Sequence, residues 1–141
     1  MLRICAVPIA AWLIVAPLWT AQAQVPDQGV IDQRLGAQWT KAQRDRWFND
    51  QLRGRSVTWT GQVMSVQKQT FGGVIVEMLR QTPRASFDCV VPAERSYFEK
   101  FALSLTVGQQ AVCAGAINSY QRVYGEVRLR IDAATVNVVV P

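Results

Sequence analysis

The sequence predicts a mainly β fold with helical additions (α+β): a five-stranded barrel with one helix between its third and fourth strands, preceded by an N-terminal helix. Three observations predict it. A capped helical stripe ends at Gly54, and from Arg55 the apolar spacing switches from the helical period to a period of two. Four further alternating runs follow before the C-terminus, separated by Gly and Pro signals. A second helical stripe, with Phe98, Phe101 and Leu105 on one side, interrupts them once, after the third run.

The chain begins with an address. Arg3 precedes an almost wholly apolar run from Ile4 to Trp19, and Ala21-Gln22-Ala23 is a small-x-small cleavage site. That order defines a secretory signal peptide over residues 1–23, cut after Ala23. The run is about 16 residues long and is broken by Pro8 and Pro17, short of the roughly 20 that a spanning helix needs. No stable membrane span is expected after cleavage. Cys5 stands too near the start to be a lipid-modified cysteine. The expected location is the periplasm of a bacterium, or the outside.

Residues 24–53 form a lead-in and a helix. Ile31, Leu35 and Trp39 fall at i, i+4 and i+8, which predicts a short docking helix. Thr40 with Gln43 three residues on has the capping-box spacing. Trp47, Phe48 and Leu52 give the next helix an apolar stripe, and Gly54 ends it. The predicted helix runs from about 40 to 53.

Residues 54–141 form the barrel. Val57, Trp59, Gly61 and Val63 make one face of the first strand. After the turn signal Gly72-Gly73, residues 74–79 are the second strand. Thr82-Pro83-Arg84 is a tight connection, and residues 86–91 are the third strand, with Phe87, Cys89 and Val91 on one face. The predicted helix covers 93–105, with Arg95 and Glu99 at i, i+4 on its polar side. Ala111, Cys113, Gly115 and Ile117 alternate in the fourth strand, and Asn118 to Gly125 reads as a polar loop. Val127, Leu129 and Ile131 make the fifth strand. The alternation slips near Asp132-Ala133-Ala134 before Val136, Val138 and Val140, which predicts a bulge. Gly61 and Gly115 are expected where strands bend and a side chain would clash. Five strands with a helix between the third and fourth is the layout of the OB-fold.

The stretch from Gly54 to about Val136 resembles the tRNA-anticodon-binding-like OB domains of exported and lipid-anchored bacterial proteins. The carrying residues are Val57-x-Trp59-x-Gly61-x-Val63, then Cys89, then Gly108-x-x-Ala111-x-Cys113-x-Gly115-x-Ile117. The resemblance implies the barrel fold and not tRNA binding.

Composition narrows the chemistry. The 141 residues include 15 Lys+Arg, 10 Asp+Glu and no His. Absence of His removes His-based acid/base catalysis, Ser/His and Cys/His nucleophile pairs, and His-ligated metals. A net charge of +5, scattered along the chain, is far from the density of a nucleic-acid packaging protein. Glu94 and Glu99, like Asp45 and Asp50, are five apart and so on different helical faces. Nuclease members of OB-like barrels need acidic metal ligands with arginines around a cleft, and Glu77 reads as alone on the early strands. No catalytic residue, no metal and no cofactor is expected: the chain reads as a binding module, not an enzyme.

Two features carry the binding expectation. In OB-folds the strand 1–2 and strand 4–5 loops flank the ligand face. Here they offer Lys68, Phe71, Tyr120, Arg122 and Tyr124, with Arg128 and Arg130 on the outer face of the fifth strand. Stacking aromatics plus cations would suit an anionic polymer, either single-stranded nucleic acid or an acidic oligosaccharide. Tyrosines in a hairpin also commonly pack on their own strands. The favoured partner is therefore a protein of the cell envelope, with the anionic polymer as alternative. Trp39, Trp47 and Trp59 read as core and helix-docking residues. Finally, Cys89 and Cys113 are the two cysteines left after cleavage. They are either two buried core thiols or a disulfide, which in the chain-entropy argument would stabilise by roughly 3.5 kcal/mol for a loop of about 25 residues.

Overall fold

The computed structural model describes residues 24–139. The signal peptide expected at 1–23 lies outside the described residues, as does Val140. In chain order the elements are α1 (Gln28–Arg34), α2 (Lys41–Gln51), β1 (Ser56–Lys68), β2 (Val74–Gln81), β3 (Arg84–Val91), α3 (Ser96–Leu103), β4 (Gln110–Val123) and β5 (Glu126–Val138). No described helix is long and apolar enough to cross a membrane.

The capping box at Thr40 forms in full. Its side chain accepts from the Gln43 backbone, and the Gln43 side chain accepts from the Thr40 backbone N–H. The strands close into a ring in the order β1-β2-β3-β5-β4. β3 and β5 run parallel and the other ladders antiparallel. This order, with α3 between β3 and β4, is that of an OB-type barrel.

The barrel wall follows the predicted alternation. Val57, Val63, Val74, Val76, Met78, Phe87, Cys89, Ala111, Cys113, Ile117, Leu129 and Ile131 all point into one core. Cys89 and Cys113 are joined there by a disulfide, both fully buried. Between Ala114 and Gly115 the β4–β5 register shifts so that Ala134 is left over, the bulge expected near 132–134. At this point a Cβ on Gly115 would stand 2.0 Å from the Asp132 carbonyl oxygen, and one on Gly61 would stand 3.1 Å from the Phe87 ring. At Gly115 the close approach of backbone leaves no room for a side chain, while at Gly61 the neighbours would have to give by a few tenths of an ångström.

Two predicted boundaries change. The segment 118–123, expected as a loop, is the second half of β4. A further register shift between Ile117 and Ser119 displaces Asn118 from the ladder, and the run then pairs with the start of β5 from Ser119↔Arg130 to Val123↔Glu126. The helix expected at 93–105 begins only at Ser96. Pro92, Ala93 and Glu94 instead form a turn, and Arg95 reaches away to donate to the Ala134 carbonyl at 2.8 Å rather than pairing with Glu99.

Both mouths of the barrel are covered. At the end nearest the β4–β5 hairpin, α1 and α2 insert Ile31, Leu35, Phe48 and Leu52 into the core. At the other end α3 inserts Ala102, with Leu105 just beyond it.

Candidate functional site

The residues singled out from the sequence do not converge on one surface. Lys68 ends β1 and Phe71 projects from the following turn, 99% exposed. Lys68 pairs with Val74, which pairs with Val91, so this loop belongs to the α3 end. Tyr124 sits at the tip of the β4–β5 hairpin with φ of 50° and full exposure. That hairpin lies at the opposite end of β3. There Gly125, Glu126 and Val127 line a cavity of about 310 Å³ together with Arg84, Ala85, Ser86, Gln28 and Asp32. The eight residues of β3 separate the two loops, about 23 Å at the usual rise per residue.

Tyr120 plays a structural part. The bulge at Asn118 returns it to the inward face, opposite Leu129. Its ring lies 5.0 Å from that of Phe48, and its hydroxyl donates to Asp45 Oδ1 at 2.6 Å, tying β4 to α2. Burial and the Asp45 contact raise the Tyr120 hydroxyl above its ordinary pKa. The ammonium of Lys41 and the Tyr120 hydroxyl hold the Asp45 carboxyl below the usual range. Arg122, opposite Val127, lies on the same side of β4 as Tyr120 and is exposed.

Arg128 and Arg130 face the other way, and they are not alone. Across the outer wall the register aligns Ser65, Glu77, Asp88, Arg130 and Ser119 in one row around the barrel. Glu77 therefore has an acidic neighbour, Asp88, directly opposite it on β3, contrary to the sequence expectation. Arg128 Nη2 meets Glu77 Oε1 at 2.8 Å, and Arg130 Nε meets Asp88 Oδ2 at 3.4 Å. Ser65 donates to Glu77 at 3.1 Å. Asp88 is only 4% exposed, and this burial pushes its carboxyl up while the two arginines oppose the shift. Two carboxylates and two guanidinium groups thus balance one another on the face that the fold usually offers to ligands. Among the described residues no group of three or more His, Cys, Asp or Glu is placed to hold a metal ion.

The tryptophans divide as follows. Trp59 packs edge-on against Phe87 with the Arg80 guanidinium 4.5 Å above its ring. Trp47 is half-buried against the core. Trp39 and Trp47 also line a shallow groove of about 210 Å³ with Arg34, Gln43, Arg46 and Asp50.

One feature was not read from the sequence. Met64, Phe71, Tyr97, Leu103, Val107 and Val139 are exposed, and all six lie at the α3 end. Backbone bonds hold their segments together. The N–H of Gly108 donates to Val63 and that of Val139 to Gln110, while Gly72 comes so near Ala93, four residues before Tyr97, that a Cβ there would meet the alanine methyl. Tyr97 is 75% and Val107 71% exposed. The signal was present in the pattern: α3 needs only one face to cover a barrel mouth, and the predicted stripe of Phe98, Phe101 and Leu105 leaves Tyr97 and Leu103 outside it.

No family model and no curated protein matches the sequence. Solved structures do match the fold. Two OBodies bound to hen egg-white lysozyme, AM3L09 and AM2EP06, align at TM-score 0.50 with 15% and 16% identity. Each match covers 62% of this chain and 84% or 82% of the other. The Stn1–Ten1 complex of S. pombe matches at TM-score 0.48 and 18% identity, over 60% of this chain and 57% of that one. The chain is thus an OB-fold protein by architecture.

Proposed function

We propose that this protein is a non-enzymatic, exported binding module whose partner is another protein of the cell envelope. The crown of exposed apolar side chains at the α3 end carries this reading. Large apolar side chains exposed together at one end of a small domain mark a contact site more often than scattered single exposures do. The self-balanced charge of Glu77, Asp88, Arg128 and Arg130 supports it, because those arginines already have carboxylate partners. The Cys89–Cys113 disulfide supports export, since such bonds persist in oxidising compartments. The OBodies, bound to lysozyme, illustrate that a barrel of this fold can present a protein-binding surface.

The alternative is an anionic polymer, held by Lys68, Phe71, Arg122 and Tyr124. It is favoured by one observation: the Phe71 and Tyr124 rings stand free in solvent, as a stacking platform requires. A titration with an oligothymidylate and an acidic oligosaccharide at low and moderate salt separates the two. Protein binding predicts weak or no response, and a cross-linked envelope partner whose capture is indifferent to salt. Micromolar oligonucleotide binding that falls steeply with salt and is weakened by Arg122→Ala would establish the alternative. The export step is checked by mass spectrometry of the mature chain, expected to begin at Gln24.

A further inference from the structure

We infer that the α3-end crown is the contact surface for a second copy of this chain. This inference rests on the protein-binding reading and names its partner.

Size is the first argument. Phe71 and Tyr97 present roughly 350 Å² between them at the usual area of an aromatic side chain. Met64, Leu103, Val107 and Val139 bring the crown to roughly 700 Å², close to the 800 Å² or so that each partner gives to a standard interface. Smaller single exposures need no partner, but an apolar area of this extent matches the more hydrophobic contacts of homodimers.

Charge is the second argument. The ionisable groups on α3 and the segments beside it include Lys68, Glu94, Arg95, Glu99 and Lys100, both signs interspersed, with Arg95 turned to the Ala134 carbonyl. A two-fold contact sets a patch against itself, so a patch of one sign would repel its own copy. This one is nearly neutral. Glu99 and Lys100 put one charge of each sign side by side on α3. The rest of the molecule lacks this match: Val30 and Tyr124 are the other large apolar side chains exposed among the described residues, both at the far end.

Sedimentation of the purified protein tests this over a concentration range of about two decades around 10 μM. A monomer–dimer equilibrium is expected, with little response to salt. Phe71→Asp and Val107→Asp, both at solvent-facing positions, are each expected to raise the dimer dissociation constant at least about 30-fold, as central contacts do. Tyr124→Asp at the far end is expected to leave it unchanged. Thermal melts of all three variants, run well below the parent's dimer dissociation constant so that association adds no stability, are expected to match the parent, which keeps the result clear of misfolding. A protein that remains monomeric throughout, or a dimer weakened equally by Tyr124→Asp, overturns the inference. A monomer that captures a different protein through Phe71 and Val107 overturns the second copy as occupant while the protein-binding reading stands. Salt-sensitive oligonucleotide binding lost in Phe71→Asp overturns both.

Discussion

At one mouth of the barrel, α1 and α2 bury Ile31, Leu35, Phe48 and Leu52 to 3% exposure or less. At the other, α3 and the segment after it bury Ala102 and Leu105 but leave Tyr97, Leu103 and Val107 in solvent. The first end is closed by two helices, the second of which is tied to β4 by the hydrogen bond from Tyr120 to Asp45. The second is closed by one helix of eight residues, with apolar side chains left over. The difference teaches that covering a core and exhausting the apolar surface are separate tasks. Here the first is done at both ends, and the second goes further at the α1–α2 end, where only Val30 and Tyr124 of the large apolar side chains described stay exposed.

The comparison is sharpest where the residue type is the same. Leu52→Ala at the sealed end is expected to cost about 2–5 kcal/mol of stability, because the surrounding core cannot collapse into the space. Leu103→Ala at the open end is expected to stay within about 0.5 kcal/mol. Denaturant melts of the two variants check this, and similar losses would mean that the two ends are not different in kind. A smaller effect is expected for the tyrosines. Tyr120→Phe removes the hydroxyl that binds Asp45 and should lower the melting temperature, though by less than Leu52→Ala. Tyr124→Ala, whose ring touches nothing around it, should leave stability within about 0.5 kcal/mol.

The smallest effect concerns two carboxylates. Asp45 is held below its ordinary value of 3.8, chiefly by the Lys41 and Tyr120 hydrogen bonds, so folding favours its charge. The stability it adds is present above the ordinary value and is lost as pH falls through the folded one. Burial raises Asp88 above 3.8, so its charge opposes folding, and protonation relieves this as pH falls through the raised value. A carboxyl ¹³C titration should therefore find Asp88 taking its proton at higher pH than Asp45. The reverse order would remove the contrast.

Much of the fold was legible because local signals agreed. Thr40 with Gln43, the alternation from Val57 to Val63, Gly115 at its close approach and the slip near Ala134 each have one physical cause acting within a few residues. What could not be read depends on partners distant in sequence. Tyr120 is three residues from Ile117, a spacing that looks irregular until Asn118 bulges out and both face inward. Asp88 stands beside Glu77 only because β2 and β3 pair in one particular register. The candidate ligand residues were chosen from loops, and strand direction then sent those loops to opposite ends. Arg128 and Arg130 were correctly placed on the outer wall, but their carboxylate partners come from strands about 40–50 residues away.

The disulfide has a consequence for the shape of the molecule as a covalent object. Cys89 and Cys113 close a ring around the whole excursion that holds α3, Tyr97, Leu103 and Val107. A protease that cuts once inside this ring opens it without parting the molecule. The only covalent link from β1, β2 and β3 to β4 and β5 is then the disulfide, beside the ladders of β1 with β4 and β3 with β5. The nicked protein should therefore run as one species on a non-reducing gel and as two fragments once a reductant is added.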